Sequence, residues 1–263
     1  MFTGHSHSKA ARVGTLAVVA LAAIGVLLLP GSRALAGGVV ENGYVISITG
    51  EIEGVGSGSW SIPVPLNWTF SDEHTWAPGG TTTVMAGETP LFDISDVMVT
   101  LKADPSVDLT FSVKNRQTVP QTFTVNSAVV SFDPLVNNWA YATAGVTLTD
   151  STTNGASITG LQAGGKTYEA MYNGTTVFAD LVSGFSVPSG TLTMTERKPP
   201  LPADAVLIPG TVSSISSQFK FTLSASDSAS GTSSFVVGAV PEPATLVLLA
   251  VGAAAMGRVR RRR

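Results

Sequence analysis

Val107-Asp108-Leu109-Thr110-Phe111-Ser112-Val113-Lys114 alternates apolar and polar side chains without a break. Successive side chains of an extended chain point to opposite faces, so this stretch reads as a half-buried strand with Val107, Leu109, Phe111 and Val113 on its core side. A polar connection, residues 115–121, leads to Phe123-Thr124-Val125, and the two runs are expected to pair as an antiparallel hairpin. The same period of two recurs on both sides of this segment. Trp60, Ile62, Val64, Leu66, Trp68 and Phe70 fall on one face of residues 60–70, with Pro63 and Pro65 on the other. Two prolines spaced by two remove N–H donors from one side of a strand, which predicts a strand at a sheet edge. Residues 139–150 place Ala140, Ala142, Ala144, Val146 and Leu148 on one face, and Trp139, Tyr141, Thr143, Thr147 and Thr149 on the other.

Turn signals separate these runs. Asp133-Pro134 marks a turn before Trp139, and Asn154-Gly155 predicts a second hairpin between the runs containing Leu148 and Ile158. Short runs follow at 167–172, 176–187 and 191–195. Residues 197–209 hold Pro199, Pro200, Pro202 and Pro209 and read as an extended surface loop. A last strand pair, 219–223 and 233–237, is joined near Asp227. No long segment carries a helical stripe. The pattern predicts an all-β chain, an antiparallel β-sandwich formed by one domain spanning residues 37–239.

Between residues 37 and 239 there are seventeen acidic and seven basic side chains, a net charge of −10. A surface of that sign repels phosphate backbones, which argues against a nucleic-acid partner. The chain has no cysteine, so neither disulfides nor thiolate chemistry enters. His74, in the loop Ser71-Asp72-Glu73-His74, is the one histidine of this region. Three adjacent loop residues rarely converge on one ion, and the reading is a solvated loop. Asp93, Asp96, Asp104 and Asp108 lack any calcium-loop spacing and are assigned to turns and a solvated face. Neither a metal nor a cofactor is expected. Trp139 and Tyr141, two aromatics on the polar side of a strand, are the candidate glycan or partner contact, with burial through a kink at Gly145 as the alternative.

Both ends read as addresses. Lys9 and Arg12 precede an apolar run at 16–29, and Ala34-Leu35-Ala36 supplies the small residues that signal peptidase requires, so residues 1–36 are expected to be a signal peptide cut after Ala36. At the other end, Pro241-Glu242-Pro243 is followed by an uncharged apolar run, 244–256, and by Arg258, Arg260, Arg261, Arg262 and Arg263. Such an arginine cluster stays on the cytoplasmic side of a membrane. The run is expected to form a short transmembrane helix that crosses the inner membrane transiently, since it falls short of the ~20 residues of a permanent span. In this three-part order, residues 240–263 resemble the PEP-CTERM sorting signal. A weaker likeness to exported proteins with that tail covers Ala103-Asp104-Pro105 through Pro120-Gln121-Thr122-Phe123.

The resemblance implies signal peptidase and an exosortase-like enzyme as processing partners, delivery to the cell surface or extracellular matrix, and bacteria that make exopolysaccharide. It implies no activity for the domain. The expected function is structural or adhesive, without catalysis. A carbohydrate-binding module is the alternative, and a carboxylate-dependent glycoside hydrolase comes third, because nothing in the sequence pairs two carboxylates.

Overall fold

The computed structural model describes residues 37–239. The expected signal segment, with Ala34 and Ala36, lies outside the described residues, as do Pro241, Glu242, Pro243, Arg258, Arg260, Arg261, Arg262 and Arg263.

The strands come in the order β1 (Gly38–Val40), β2 (Tyr44–Ile52), β3 (Gly56–Pro63), β4 (Trp68–Phe70), β5 (His74–Trp76) and β6 (Thr82–Ala86). They continue with β7 (Thr89–Lys102), β8 (Ser106–Asn115), β9 (Gln121–Ser127), β10 (Val130–Thr149) and β11 (Ala156–Gly160). The last are β12 (Lys166–Tyr172), β13 (Thr176–Ser183), β14 (Phe185–Val187), β15 (Thr191–Lys198), β16 (Val206–Leu223) and β17 (Ser228–Ala239). Every ladder between them is antiparallel.

The strands form one curled antiparallel sheet. One wall runs β6–β7–β8–β17–β10–β15. The other runs β3–β2–β9–β16–β12–β13, with β11 and β14 continuing it above β12. The walls are continuous because the long strands β10 and β16 bend and pair through their first halves, from Ala140↔Val206 to Val130↔Ile215. Alternation supplies each wall with an apolar inner face, and the two inner faces meet. Phe92 and Phe123, Phe111 and Phe219, and Phe178 and Phe235 pack across the gap with ring centroids 5.1, 5.1 and 5.4 Å apart. The expected face-to-face core is present, in a sheet curled on itself and not in two separate sheets.

The expected hairpins are not. β8 pairs with β7 and β17, while β9 pairs with β2 and β16 in the opposite wall. The run before Asn154-Gly155 lies in β10 and the run after it in β11, which pairs with β14 and β16. β16 and β17 likewise belong to different walls. All three connections are arches from wall to wall, and polar side chains at their bases explain why. Asn115, fully buried, donates from Nδ2 to the carbonyls of Val119 (2.8 Å) and Ser224 (3.0 Å) and accepts from the Gln117 N–H at 2.9 Å. Asp227, also buried, accepts from the Ser151 N–H at 3.1 Å and from the Ser224 hydroxyl. Asp150 accepts from the N–H groups of Thr152 and Gly155, both at 3.1 Å. Burial raises its proton affinity, but backbone N–H donors from Thr152, Gly155, Thr153 and Asn154 outweigh this and hold the carboxyl below its ordinary range. These side chains take up main-chain groups that a hairpin ladder otherwise satisfies.

Other expectations shift locally. The run 60–70 is interrupted: β3 stops at Pro63, Asn67 turns at φ 57°, and β4 starts at Trp68. Among the described residues β3 pairs with β2 alone, so the strand carrying Pro63 sits at a rim. Asp133-Pro134 is a bulged stretch inside β10 and not a turn between strands. The proline-rich loop is shorter than expected, because β15 reaches Lys198 and β16 starts at Val206.

Candidate functional site

The outer face of the first wall carries the aromatic pair. The register of β10 against β17 is unbroken from Asn138↔Ala239 to Thr149↔Ser228, so Gly145 introduces no bulge and the facing read from alternation holds. Ala140, Ala142 and Ala144 are buried; Trp139 and Tyr141 are half-buried on the opposite face. Their rings lie 6.4 Å apart at 3° to one another. Trp139 is fixed from below. Its indole lies over Gly238, where an added Cβ falls 2.2 Å from the ring, and its Nε1 donates to the Ala239 carbonyl at 3.3 Å. A glycine at 238 is thus the condition for a flat tryptophan at 139.

Further along the same strip the wall is hollowed into a trough of about 790 Å³. Gly145 forms part of its floor, because a Cβ there meets the Thr232 hydroxyl at 3.1 Å and the Thr195 methyl at 3.2 Å. Thr110, Thr143, Thr195 and Thr232 line it with hydroxyls, Asp108 stands at one side, and Met98 with Pro200 and Leu201 raise its walls. Arg197 also lines it. Its Nη2 donates to the carbonyls of Ala203 (3.1 Å) and Asp204 (3.2 Å), while its Nε is out of solvent contact without a protein partner. Glu196 is committed to Lys166 at 2.8 Å. Its burial opposes ionisation, but the bond from Lys166 and the N–H groups of Val182 and Ser183 prevail and keep the carboxyl below its ordinary range. The trough therefore offers hydroxyls and the Asp108 carboxylate on the same face as two parallel rings. Of these partners the chain order singles out only Trp139, Tyr141 and, as a solvated acid, Asp108, since β8, β10, β15 and β17 are brought together only by the fold.

The acidic residues considered as ligands are dispersed. Asp93 accepts from Arg116 (2.7 Å) and Thr83 (2.6 Å), Asp96 from Ser95 (2.9 Å), and Asp108 faces the trough. Glu73 and His74 diverge: Glu73 pairs with Lys102 at 2.9 Å, whereas His74 packs edge-on against Trp68 at 5.0 Å and lies beside Trp76 at 5.9 Å. Residues 74–76 are strand β5 and not the solvated loop expected. Among the described residues no group of three His, Cys, Asp or Glu side chains is placed to hold a metal ion.

Among the described residues a carboxylate pair does form. Glu169 and Asp180 are direct cross-strand partners on β12 and β13, on the outer face of the other wall. Burial first, and then the Asp180 carboxylate, push the Glu169 carboxyl above its ordinary range. A folded-state value raised above the unfolded one gives a contribution present at low pH and lost as pH rises through the folded value. Glu169→Gln should therefore raise the melting temperature by about 1–2 °C near pH 7, with the gain disappearing near pH 3. Thermal scans at the two pH values check this, and an equal gain at both contradicts it.

Beyond the last described strand the sequence decides the address. Residues 239–263 match the family model of the PEP-CTERM protein-sorting motif. The chain carries a PEP-CTERM tail. The matched segment begins one residue before the tail read from the sequence. It makes the chain an exported protein sorted by an exosortase, carried across the inner membrane to the surface or the exterior, with an exosortase-like enzyme as processing partner. No curated protein matches the sequence. Among the described residues no helix is long and apolar enough to cross a membrane; the tail lies outside them.

Proposed function

We propose that the protein is a structural or adhesive component of the cell surface or extracellular matrix, acting by contact and without catalysis. The PEP-CTERM tail supplies the support for location, and the expected signal peptide before residue 37 belongs to the same reading. The observation that carries a contact role is the outer strip of β10, where Trp139 and Tyr141 present parallel half-exposed rings in line with the hydroxyl-lined trough. Exposed aromatics beside polar groups suit a partner with flat apolar faces and many hydroxyls.

That chemistry favours a carbohydrate as the thing contacted, an exopolysaccharide chain being the natural candidate outside the cell. Sugar rings stack on the aromatic faces, while Asp108 accepts hydroxyl hydrogens and the threonines donate or accept. A glycan-array screen of the full chain against a Trp139→Ala/Tyr141→Ala variant tests it. The expected result is binding to at least one polysaccharide class, reduced tenfold or more in the variant. Folding should change little, because both side chains are on the outer face. Equal binding by both proteins, or a variant that loses its fold, removes the strip as the contact.

A further inference from the structure

β15 leaves a free edge on the first wall. Among the described residues it pairs with β10 and with no other strand, and Thr191 through Thr195 are exposed along their whole length. The backbone direction there follows from one bond. Asp150 N–H donates to Gly190 O at 2.8 Å, which makes Asp150 and Gly190 a hydrogen-bonded pair. Alternation down the ladder makes Leu148↔Leu192 and Val146↔Met194 hydrogen-bonded pairs as well. Thr191, Thr193 and Thr195 are the intervening positions, so their N–H and C=O groups point away from β10. On the inner side of the same strand Leu192 and Met194 are 40% and 41% exposed. The next residues are closed off by β13, through Glu196 to the Ser183 N–H and Lys198 to the Phe178 carbonyl.

Sheet edges are ordinarily blunted by proline, charge or a bulge. β3 ends in Pro63, but Thr191-Leu192-Thr193-Met194-Thr195 has none of these devices. We infer that this edge pairs with the same edge of a second copy, antiparallel about a two-fold axis through Thr193. In that register Thr193 faces Thr193 and Thr191 faces Thr195 of the other copy, so the residues with outward main-chain groups meet each other as hydrogen-bonded pairs. Leu192 then faces Met194, covering both apolar side chains. Gly190 faces Glu196 and Ser189 faces Arg197, so no like charges are opposed. The register pairs all five open positions, and the first walls of two copies become one continuous sheet. A five-residue ladder is a small interface, so the pairing gains most from crowding at a surface.

The chain has no cysteine, so introduced thiols report alone. Leu192→Cys and Met194→Cys chains, full length and differently tagged, are co-expressed and oxidised at the cell surface. The mixed disulfide should exceed either self-linked dimer at least fivefold, because those two positions are directly opposed. Met85→Cys, exposed on β6, sets the collision background. Thr193→Pro in both chains should abolish the mixed product while leaving the fold intact, because the lost N–H points away from β10; a thermal melt checks the fold. A mixed product no stronger than the Met85→Cys background overturns the proposal, as does predominance of the Leu192→Cys self-linked dimer. Cross-linking to a different polypeptide overturns it as well.

Discussion

Asn115→Ala should lower stability by about 3 kcal/mol, or roughly 6–12 °C in melting temperature for a domain of this size. Asn115 is fully buried and satisfies three main-chain groups, the Gln117 N–H and the Val119 and Ser224 carbonyls. Two of these lie in the arch from β8 to β9 and the third in the arch from β16 to β17. Alanine leaves them without partners where water cannot readily replace the amide, and each such orphan costs about 1–3 kcal/mol, partly relieved by local shifts. Asn126 is the matched control. It accepts from Gln218 Nε2 at 2.6 Å on the outer face, where water can take over, so Asn126→Ala should cost less than 1 kcal/mol. Equal melting temperatures for the two variants rule out Asn115 as the anchor of the arches.

This contrast also separates what alternation could reveal from what it could not. Period two determines which side chains share a face, and it placed Ala140 and Ala142 inward and Trp139 and Tyr141 outward correctly. It says nothing about which strand lies alongside. A hairpin and an arch have the same local pattern, and they differ in where the main-chain groups at the turn find partners. The signal for arches was nonetheless in the sequence. Asn115 ends an alternating strand, Asp150 directly follows one, and Asp227 directly precedes one. A small polar side chain that must be buried at a strand end serves the turn's own N–H groups, not a solvated loop.

The Glu169–Asp180 pair was illegible for a different reason. From Tyr172↔Thr176 and Met171↔Val177 a regular hairpin sets Glu169 opposite Ala179. The bulge at Phe178 shifts the register by one and brings Asp180 opposite instead. One inserted residue exchanges an acid–alanine pair for an acid–acid pair, and nothing in the alternation announces it. The trough is illegible for a third reason. Its threonines are ordinary outward strand residues, and the hollow at Gly145 exists only because β15 and β17 place Thr195 and Thr232 on either side of a missing Cβ.

Deleting the exosortase should change delivery from nearly complete to nearly absent, the largest effect expected for this chain. The three parts of the PEP-CTERM tail are expected to act in sequence. The five arginines cannot follow the exported domain through the bilayer, because each costs about 2.5–3.5 kcal/mol at the centre of a membrane. The apolar run 244–256 is expected to halt in the bilayer, although it is shorter than a permanent span prefers. Pro241-Glu242-Pro243 is then expected to wait at the outer boundary, since two prolines spaced by two disfavour a helix there. With the exosortase present, fractionation and immunoblotting should find a shortened chain at the surface or in the medium. Without it, the longer form should accumulate in the inner membrane. Replacing all five arginines by glutamine should give a third outcome, an uncut chain that slips through the membrane, because the stop has gone while Pro241-Glu242-Pro243 is intact. Unchanged processing after loss of the exosortase contradicts the sorting route, and unchanged processing after loss of the arginines contradicts their role as the stop.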